Sequence, residues 1–230
     1  MYHIYLVILS NVKKNHLMII GINGYSNSGK DTVGIIIQYL KCTNKGNISI
    51  EDAITNYEDH QWWLEEKSEW EIKKFAGKLK DIASHLTGID IEDFEDQEFK
   101  KTLLGSEWGM TVREFLQKLG TDALRTGLHD NVWVNALMAD YKPIEYGDDE
   151  QPHLPNWIIT DCRFPNEAQV IKDKGGIVIR IDRPGVEPIN NHPSEVGLDH
   201  WKFDYKIVNV SGIFELKESI ENILKHKKLL

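Results

Sequence analysis

The chain has 230 residues, of which 41% are hydrophobic and 27% are charged, a composition typical of a globular domain that can bury one large core. Its net charge of -9 argues against a protein that binds DNA or RNA along the phosphate backbone, because such proteins present a basic surface. The two cysteines cannot build a disulfide framework, and no CxxC or HExxH spacing predicts a zinc site. These features predict a protein of a reducing, intracellular compartment.

The first 17 residues contain a short apolar run from Ile4 to Leu9. This run is too short to cross a membrane, and it lacks the basic start and the small-residue cleavage site of a signal peptide. We interpret residues 1–17 as an extension that precedes the domain. The alternative is an additional edge strand that packs on the sheet.

The glycine loop, GYSNSGKDT at residues 24–32, lies between the apolar run LMIIGI and a segment with apolar residues at helical spacing. A strand, a glycine-rich loop and a helix in this order predict a phosphate site, because backbone N–H groups surround phosphate oxygens at the positive end of the helix. Lys30 is placed to bridge the outer phosphates of a nucleotide. The alternative is a plain turn from strand to helix.

One position of the glycine loop departs from the usual pattern, in which Ser or Thr follows the Gly-Lys pair and holds Mg²⁺. Asp31 stands at that position, and Thr32 follows it. A carboxylate there either complements the positive end of the helix or binds Mg²⁺. We favour the metal, since a bare carboxylate would repel a polyphosphate. The residues predicted to bind the donor nucleotide are Gly24, Ser26, Asn27, Ser28, Gly29, Lys30, Asp31 and Thr32.

The middle of the chain is predicted to be mostly helical. Residues 42–68 are polar and acidic and indicate an insertion with some local helix, followed by a strand at 70–76 and a helix at 77–88 that ends at a glycine. Residues 89–101 are acidic, which predicts a loop or a short helix. Thr111 is predicted to cap a helix that continues to about residue 127, and Asn131 opens another through Tyr141.

The last third alternates between strands and helices. Residues 142–156 predict a surface loop, and strands are predicted at 157–161, 177–182 and 205–210, with helices at 166–176 and at the C-terminal end. Residues 183–201 are rich in loop-forming residues. Five short apolar strands separated by helices predict a parallel sheet covered on both faces, an α/β fold in which ligands bind beyond the carboxyl ends of the strands.

Two kinds of charged residue are candidates for the phosphate site: carboxylates that follow strand ends, and the arginines, which are few enough to be considered one by one. The guanidinium group binds phosphate oxygens in pairs, and the chain has five arginines, of which we expect two to be ordinary surface charges. Asp161 ends a strand, where a second carboxylate would meet a metal on a phosphate chain, although Asp at this position is often only a helix cap. Asn166 and Glu167 are predicted to cap and open the next helix. The arginines are Arg113, Arg125, Arg163, Arg180 and Arg183.

Six segments occur in an order that identifies a family: GYSNSGKDT, FAGKLKDIA, TVREFLQKLGTDALR, DNVWVNAL, ITDCRFPNEA and NHPSEVGLD. Together they resemble the deoxynucleoside monophosphate kinases of tailed bacteriophages, in which GKDT is itself usual. The resemblance extends from Met18 to the last helix. Residues 1–17 and the insertion at 42–68 are expected to fall outside it.

The resemblance implies transfer of a phosphoryl group from ATP to a deoxynucleoside monophosphate, with Mg²⁺. The implied fold is a single P-loop domain of the nucleoside-monophosphate-kinase type over residues 18–230. It has three layers with a five-stranded parallel core sheet. A helical region at about 75–141 binds the acceptor, and a lid lies at about 183–200. The resemblance implies that Phe75, Lys80, Arg113, Arg125 and Trp133 bind the acceptor. The chemistry of the residues and the resemblance together predict four catalytic residues, Lys30, Arg163, Asp161 and Arg183, and two residues that bind Mg²⁺ directly or through water, Asp31 and Asp161.

Other interpretations stay open. Trp133 stacks on the base or belongs to the core, and aromatic residues at helical spacing more often do the latter. The glycine loop also fits kinases of dephospho-coenzyme A or phosphomevalonate, and it fits a nucleotide-binding switch without catalysis. The resemblance implies a cytoplasmic homodimer whose interface lies on the helices between residues 111 and 141, without a nucleic-acid or membrane partner.

Overall fold

A five-stranded parallel sheet forms the centre of the molecule, as predicted. The computed structural model describes residues 18–46, 48–144, 153–190, 192–210 and 212–230, so the apolar run 4–9 and the question of the N-terminal extension lie outside the described residues. The strand order is β2-β3-β1-β4-β5. The strands are β1 (Ile19–Asn23), β2 (Trp70–Lys73), β3 (Asn156–Ile159), β4 (Ile177–Asp182) and β5 (Tyr205–Val208).

The central strand β1 pairs with β3 on one side and with β4 on the other, so that Ile20 lies between Ile158 and Ile177. The chain therefore leaves β1 at the point where the strand order reverses. In open parallel sheets this point is a crevice at the carboxyl ends of the strands, where ligands bind.

Helices surround the sheet and connect its strands. Two short 3₁₀ turns, Glu92–Glu95 and Phe99–Lys101, lie in the acidic segment 89–101, and a short helix lies within the segment 183–201. The helix predicted from Thr111 is α-helical only at its start and continues as a π-helix over Lys118–Thr126. The α-helices are α1 (Lys30–Lys41), α2 (Ile50–Thr55), α3 (Tyr57–Ser68), α4 (Gly77–Thr87), α5 (Val112–Gln117), α6 (Val132–Met138), α7 (Pro165–Asp173), α8 (Pro193–Val196) and α9 (Ile213–His226).

Each face of the sheet carries a separate hydrophobic core, because successive strand residues point to opposite faces. Ile20 and Ile22 of β1 pack with α1 and α9, whereas Ile19 packs on the other face with α6 and α7. These isoleucines are completely buried, and each contributes about 1.5–3 kcal/mol relative to an exposed side chain. The two cores hold the carboxyl edge of the sheet rigid.

The segment 42–68 folds into α2 and α3, which confirms the predicted local helices. Ser49 caps α2 by accepting a hydrogen bond from the backbone N–H of Asp52 (3.1 Å), and Leu64 of α3 is completely buried with Ala53. Tyr57 donates from its hydroxyl to the Gln38 side chain on α1 (3.3 Å). This segment therefore packs against α1. Among the described residues, no helix combines the length and the apolar character needed to cross a membrane.

Candidate active site

The glycine loop leaves β1 and turns sharply into α1. Asn27 and Gly29 have positive φ angles of 64° and 100°, and the φ of Gly29 favours a residue without a side chain. A Cβ atom at Gly29 would also lie 2.9 Å from the Asn209 side-chain nitrogen, which donates to the Ser28 carbonyl oxygen (3.0 Å). The Asn209 side chain thus holds the glycine loop in place, and the loop leads directly into α1.

Lys30 is the first residue of α1, and its ammonium group turns back over the glycine loop. The Nζ atom donates to the carbonyl oxygen of Tyr25 (2.6 Å). Burial and the nearby Arg163 guanidinium lower the pKa of Lys30 to about 8. This position at a helix N-terminus is the one from which a lysine contacts bound phosphate groups.

A cavity of about 590 Å³ opens over the glycine loop. Segments that follow β1, β2, β3 and β4 line it, so it lies at the carboxyl edge of the sheet, as predicted. Eight basic and five acidic side chains line the cavity, whereas the whole chain carries a net charge of -9. This local excess of positive charge suits anionic ligands.

Most of the predicted site residues meet in this cavity. Gly24 and Ser28 do not line it, since Ser28 is buried at 1% exposure and Gly24 packs against the Ile181 carbonyl oxygen. The predicted residues that line it are Ser26, Asn27, Gly29, Lys30, Asp31, Thr32, Phe75, Lys80, Arg113, Arg125, Trp133, Asp161, Arg163 and Arg183.

Asp31 lies in the first turn of α1 with its side chain 66% exposed. Its Oδ1 atom accepts a hydrogen bond from the Thr160 hydroxyl (2.7 Å) and lies 3.5 Å from the Lys74 ammonium nitrogen. The surrounding protein removes part of the solvation of this carboxylate and so raises its pKa, but Lys74 and the Thr160 hydrogen bond lower the pKa of Asp31 below its usual value. The carboxylate therefore stays ionised at neutral pH.

Asp161 lies at the same rim, but both of its oxygens are already engaged. Oδ1 accepts from the backbone N–H of Phe75 (2.8 Å) and Oδ2 from that of Ala76 (2.9 Å). The carboxylate, only 7% exposed, thereby joins the end of β3 to the segment between β2 and α4. This structural contact could not be read from the sequence.

Arg125 and Trp133 lie deeper in the wall of the cavity. The guanidinium of Arg125 pairs with the buried carboxylate of Glu167 (2.5 Å) and lies over the Phe164 ring, 3.7 Å from its centroid. Trp133 donates from Nε1 to the Gly120 carbonyl oxygen (2.8 Å) and is 5% exposed in the core beside α7. Trp133 is therefore a core residue with an edge on the cavity.

The prediction that Glu167 caps the start of α7 is confirmed, whereas Asn166 is not the cap, because the helix begins at Pro165 with Phe164 at the N-cap position. Glu167 Oε2 accepts from the backbone N–H of Arg163 (2.8 Å) and of Phe164 (3.1 Å). Burial and the nearby Asp161 carboxylate raise the pKa of Glu167 to about 7, and Arg125 opposes this shift. The same side chain thus fixes the backbone at Arg163 and the guanidinium of Arg125.

Several polar residues that line the cavity were not predicted from the sequence, and four of them are Lys74, Glu95, Gln97 and Lys100. The Glu95 carboxylate lies 3.3 Å from the Lys74 nitrogen and forms a short ion pair with Lys80, which is 8% exposed. Three of the four belong to the acidic segment 89–101, which has no periodic pattern. Only its clustered charges hinted at a role.

Arg163, Arg183 and the segment 183–200 close one side of the cavity. Arg183 donates to the Asn27 carbonyl oxygen (3.3 Å), and Arg163 lies 3.8 Å from the Glu195 carboxylate, whose side chain is 5% exposed. His192 caps α8 by accepting from the backbone N–H of Ser194 (3.2 Å). The segment thus contacts both the glycine loop and Arg163.

The expectation that two arginines are ordinary surface charges is wrong. Four of the five line the cavity. The fifth, Arg180, is 7% exposed and lies beneath the glycine loop, where it donates to the Asn23 side chain (2.6 Å) and lies 4.4 Å from the centroid of the Tyr25 ring. Scarce arginines in this chain therefore all mark the site or its support.

Comparison with known proteins gives consistent matches. The sequence model of a family described as deoxynucleotide monophosphate kinase matches residues 43–220. A protein of Acanthamoeba polyphaga mimivirus, provisionally named a deoxynucleotide monophosphate kinase, is 37% identical over 157 residues, which are 64% of this chain and 79% of that protein.

Two phage proteins named deoxynucleotide monophosphate kinase also match. That of Escherichia phage RB69 is 29% identical over 149 residues, 63% of this chain and 58% of that protein. That of Enterobacteria phage T4 is 30% identical over 115 residues, 50% of this chain and 46% of that protein. The chain thus spans about half the length of these phage relatives. Because the family match begins at residue 43, the expectation that 42–68 falls outside the resemblance is wrong, and the glycine loop precedes the matched region.

Proposed function

The chain belongs to the deoxynucleotide monophosphate kinase family, and we propose on this premise that it transfers the terminal phosphoryl group of ATP to a deoxynucleoside monophosphate. The products are ADP and the deoxynucleoside diphosphate. One observation carries the proposal: a single cavity has the glycine loop at one side and arginines of the helical region, Arg113 and Arg125, at the other. Two phosphorylated substrates can therefore meet end to end.

On the donor side, the glycine loop and the N-terminus of α1 bind the phosphate chain of ATP. Backbone N–H groups of residues 26–30 supply donors, and the Lys30 ammonium follows the charge of the transferred group. The Lys30 contact with the Tyr25 carbonyl oxygen (2.6 Å) holds its side chain in the direction that phosphate binding needs. Thr32 contributes a hydroxyl to a phosphate oxygen.

On the acceptor side, the helical region at about 75–141 binds the monophosphate. Phe75 and Trp133 supply apolar wall, and Lys80, Arg113 and Arg125 supply positive charge. Because the Arg125 guanidinium is paired with Glu167 and Trp133 is buried in the core, these two residues shape the pocket, while Arg113 is freer to contact the phosphate.

Arg163 lies between the two sides, close enough to lower the pKa of both Lys30 and Arg113. A guanidinium in this position stabilises the charge that develops on the transferred phosphoryl group. Arg183 supports it from the segment 183–200. We propose that this segment acts as a lid that excludes water during transfer.

The family implies Mg²⁺ together with ATP, and the donor set fits it. Mg²⁺ is held in kinases by one or two carboxylates, by water and by substrate phosphates, and Asp31 offers an exposed ionised carboxylate beside Lys30. We assign Asp31 to Mg²⁺ through a coordinated water. Asp161 adds negative charge nearby, but its oxygens already accept two backbone hydrogen bonds. Bound Mg²⁺ neutralises part of the phosphate charge.

The test is a panel of acceptors in a coupled assay of ADP release. Deoxynucleoside and ribonucleoside monophosphates of each base are compared with dephospho-coenzyme A and phosphomevalonate, with the Lys30→Ala variant as the blank. We expect turnover with at least one deoxynucleoside monophosphate. Turnover only with dephospho-coenzyme A or phosphomevalonate would assign a related kinase, and ATP binding without turnover of any acceptor would assign a nucleotide-binding switch.

Assembly and location are separate proposals derived from the family. We propose a homodimer that uses the helices between residues 111 and 141, in the cytoplasm of the cell in which the protein is made, without a nucleic-acid partner. Sedimentation equilibrium at several concentrations measures the oligomeric state. A monomer at every concentration would contradict the dimer.

A further inference from the structure

Lys100 lines the cavity, but it is not among the acceptor-binding residues proposed above. It lies in the second 3₁₀ turn, and its Nζ atom donates to the backbone carbonyl oxygen of Glu95 (3.3 Å). Within the described parts of the chain it forms no ion pair. Its neighbour Lys101 points away from the cavity and pairs with Glu98 on the surface (2.6 Å).

Two other cations of the cavity are in a similar state. Arg113 donates to the neutral side-chain oxygen of Gln97 (3.0 Å), and Arg163 has a carboxylate only at 3.8 Å. Burial lowers the pKa of Lys100 to about 8. The positive charges of Lys80, Arg113 and Arg163 add to this effect, and the Glu95 carboxylate opposes it. Lys100, Arg113 and Arg163 all line the cavity, and we call these three residues the cation cluster.

The cation cluster differs from the neighbouring lysines, which already have a counter-ion. Lys74 and Lys80 share the carboxylate of Glu95. Among the described residues only Arg163 of the cluster has a carboxylate within 4 Å, that of Glu195 at 3.8 Å. Three partly buried cations with so little negative charge beside them are unfavourable, and a dianion with several acceptor oxygens offsets this cost through charge-assisted hydrogen bonds. Arg163 lies near both the cluster and the donor loop, because its charge lowers the pKa of Lys100 and of Lys30.

We propose that Lys100, together with Arg113, binds the phosphate group of the acceptor monophosphate and that Arg163 connects this subsite with the donor loop. This inference rests on the proposed function and adds a ligand from the acidic segment 89–101. It also assigns Lys80 a different part: Lys80 and Glu95 position the segment that carries Lys100, and Lys80 does not contact the acceptor phosphate itself.

The experiment compares Lys100→Ala with Lys101→Ala, a matched control one residue away. Steady-state rates are measured with varied acceptor at saturating ATP, then with varied ATP. We expect Lys100→Ala to raise the KM for the acceptor on the order of tenfold to a hundredfold, the loss expected for a hydrogen bond to a charged group, and to leave the KM for ATP within about twofold. Lys101→Ala should match the wild type, and Lys100→Arg should recover most of the affinity.

Direct binding separates this inference from the proposed function. Calorimetry measures binding of the monophosphates to wild type and to Lys100→Ala in the absence of ATP, and thermal melts show that both are folded. Weaker binding to Lys100→Ala supports the inference even if no acceptor turns over, a result that would refute the kinase proposal alone. Equal binding to both proteins, equal losses for acceptor and ATP, or no binding to the wild type would overturn the inference.

Discussion

Replacement of Arg125 by Met should destabilise the protein strongly and in a pH-dependent way. Met keeps an unbranched side chain as far as the position of the Arg125 Nε atom but removes the guanidinium group, which pairs with Glu167 (3% exposed) and lies over the Phe164 ring. Removal of one partner of a buried pair costs about 3–5 kcal/mol. For a chain of this size, 3 kcal/mol corresponds to a fall in Tm of about 6–12 °C.

The pH dependence follows from Glu167. Burial and Asp161 already raise its pKa to about 7, and loss of Arg125 removes the main opposing charge. A carboxyl whose pKa is raised in the folded state contributes stability that is fully present below its unfolded pKa, and this contribution is lost as the pH rises through the folded value. The difference between variant and wild type should therefore be larger at pH 8 than at pH 6.

The measurement is urea unfolding followed by circular dichroism at the two pH values. Arg113→Met is the control, because the guanidinium of Arg113 donates to the neutral Gln97 side chain, and its removal should cost about 1 kcal/mol. Equal losses for the two variants would refute the reasoning, and so would a loss for Arg125→Met that is the same at pH 6 and pH 8.

Three further changes test the donor side. Lys30→Ala should abolish turnover in a folded protein, and near-normal turnover of this variant would rule out the site. In the wild type, the affinity for ATP should fall above pH 8, where Lys30 loses its proton. Arg163→Lys should reduce kcat by roughly a thousandfold, by analogy with charge-stabilising arginines, since an ammonium group cannot bind two oxygens in the same plane; a loss below about tenfold would assign that role to Arg183. Asp31→Asn should lower turnover and raise the Mg²⁺ concentration needed for the half-maximal rate, and an unchanged Mg²⁺ titration would leave Asp31 with only its effect on the helix end.

The sheet and the glycine loop were predictable because both depend on local sequence. The five apolar runs are short and bounded by polar residues, and the residues of the loop are consecutive. The capping role of Glu167 was predictable for the same reason, since it concerns backbone groups three and four positions away.

The long-range contacts of the same residues were not predictable. Glu167 also pairs with Arg125, 42 positions earlier, and Asp161 accepts from Phe75, 86 positions earlier. Acidic residues in a segment without periodicity are usually solvated, so nothing in the local pattern distinguished Glu95 from its neighbours. Its role depends on Lys74 and Lys80, which the fold brings to it.

The π-helix at Lys118–Thr126 has a consequence for the direction of two arginines, Arg113 before it and Arg125 within it. Arg113 and Arg125 are twelve positions apart, which in an uninterrupted α-helix is about three and a third turns and would leave them about 120° apart around the axis. The first five steps from Arg113 are α-helical and make about 1.4 turns. The remaining seven steps lie in the π-helix, whose hydrogen bonds from i to i+5 give about 4.4 residues per turn, and they make about 1.6 turns, so the twelve positions complete about three whole turns. Both arginines consequently point to the same side, where they line the cavity. The wider turns of the π-helix thus bring the two arginines to the same side of the helix axis. The number of residues between Arg113 and Arg125 is therefore itself a structural requirement of the site.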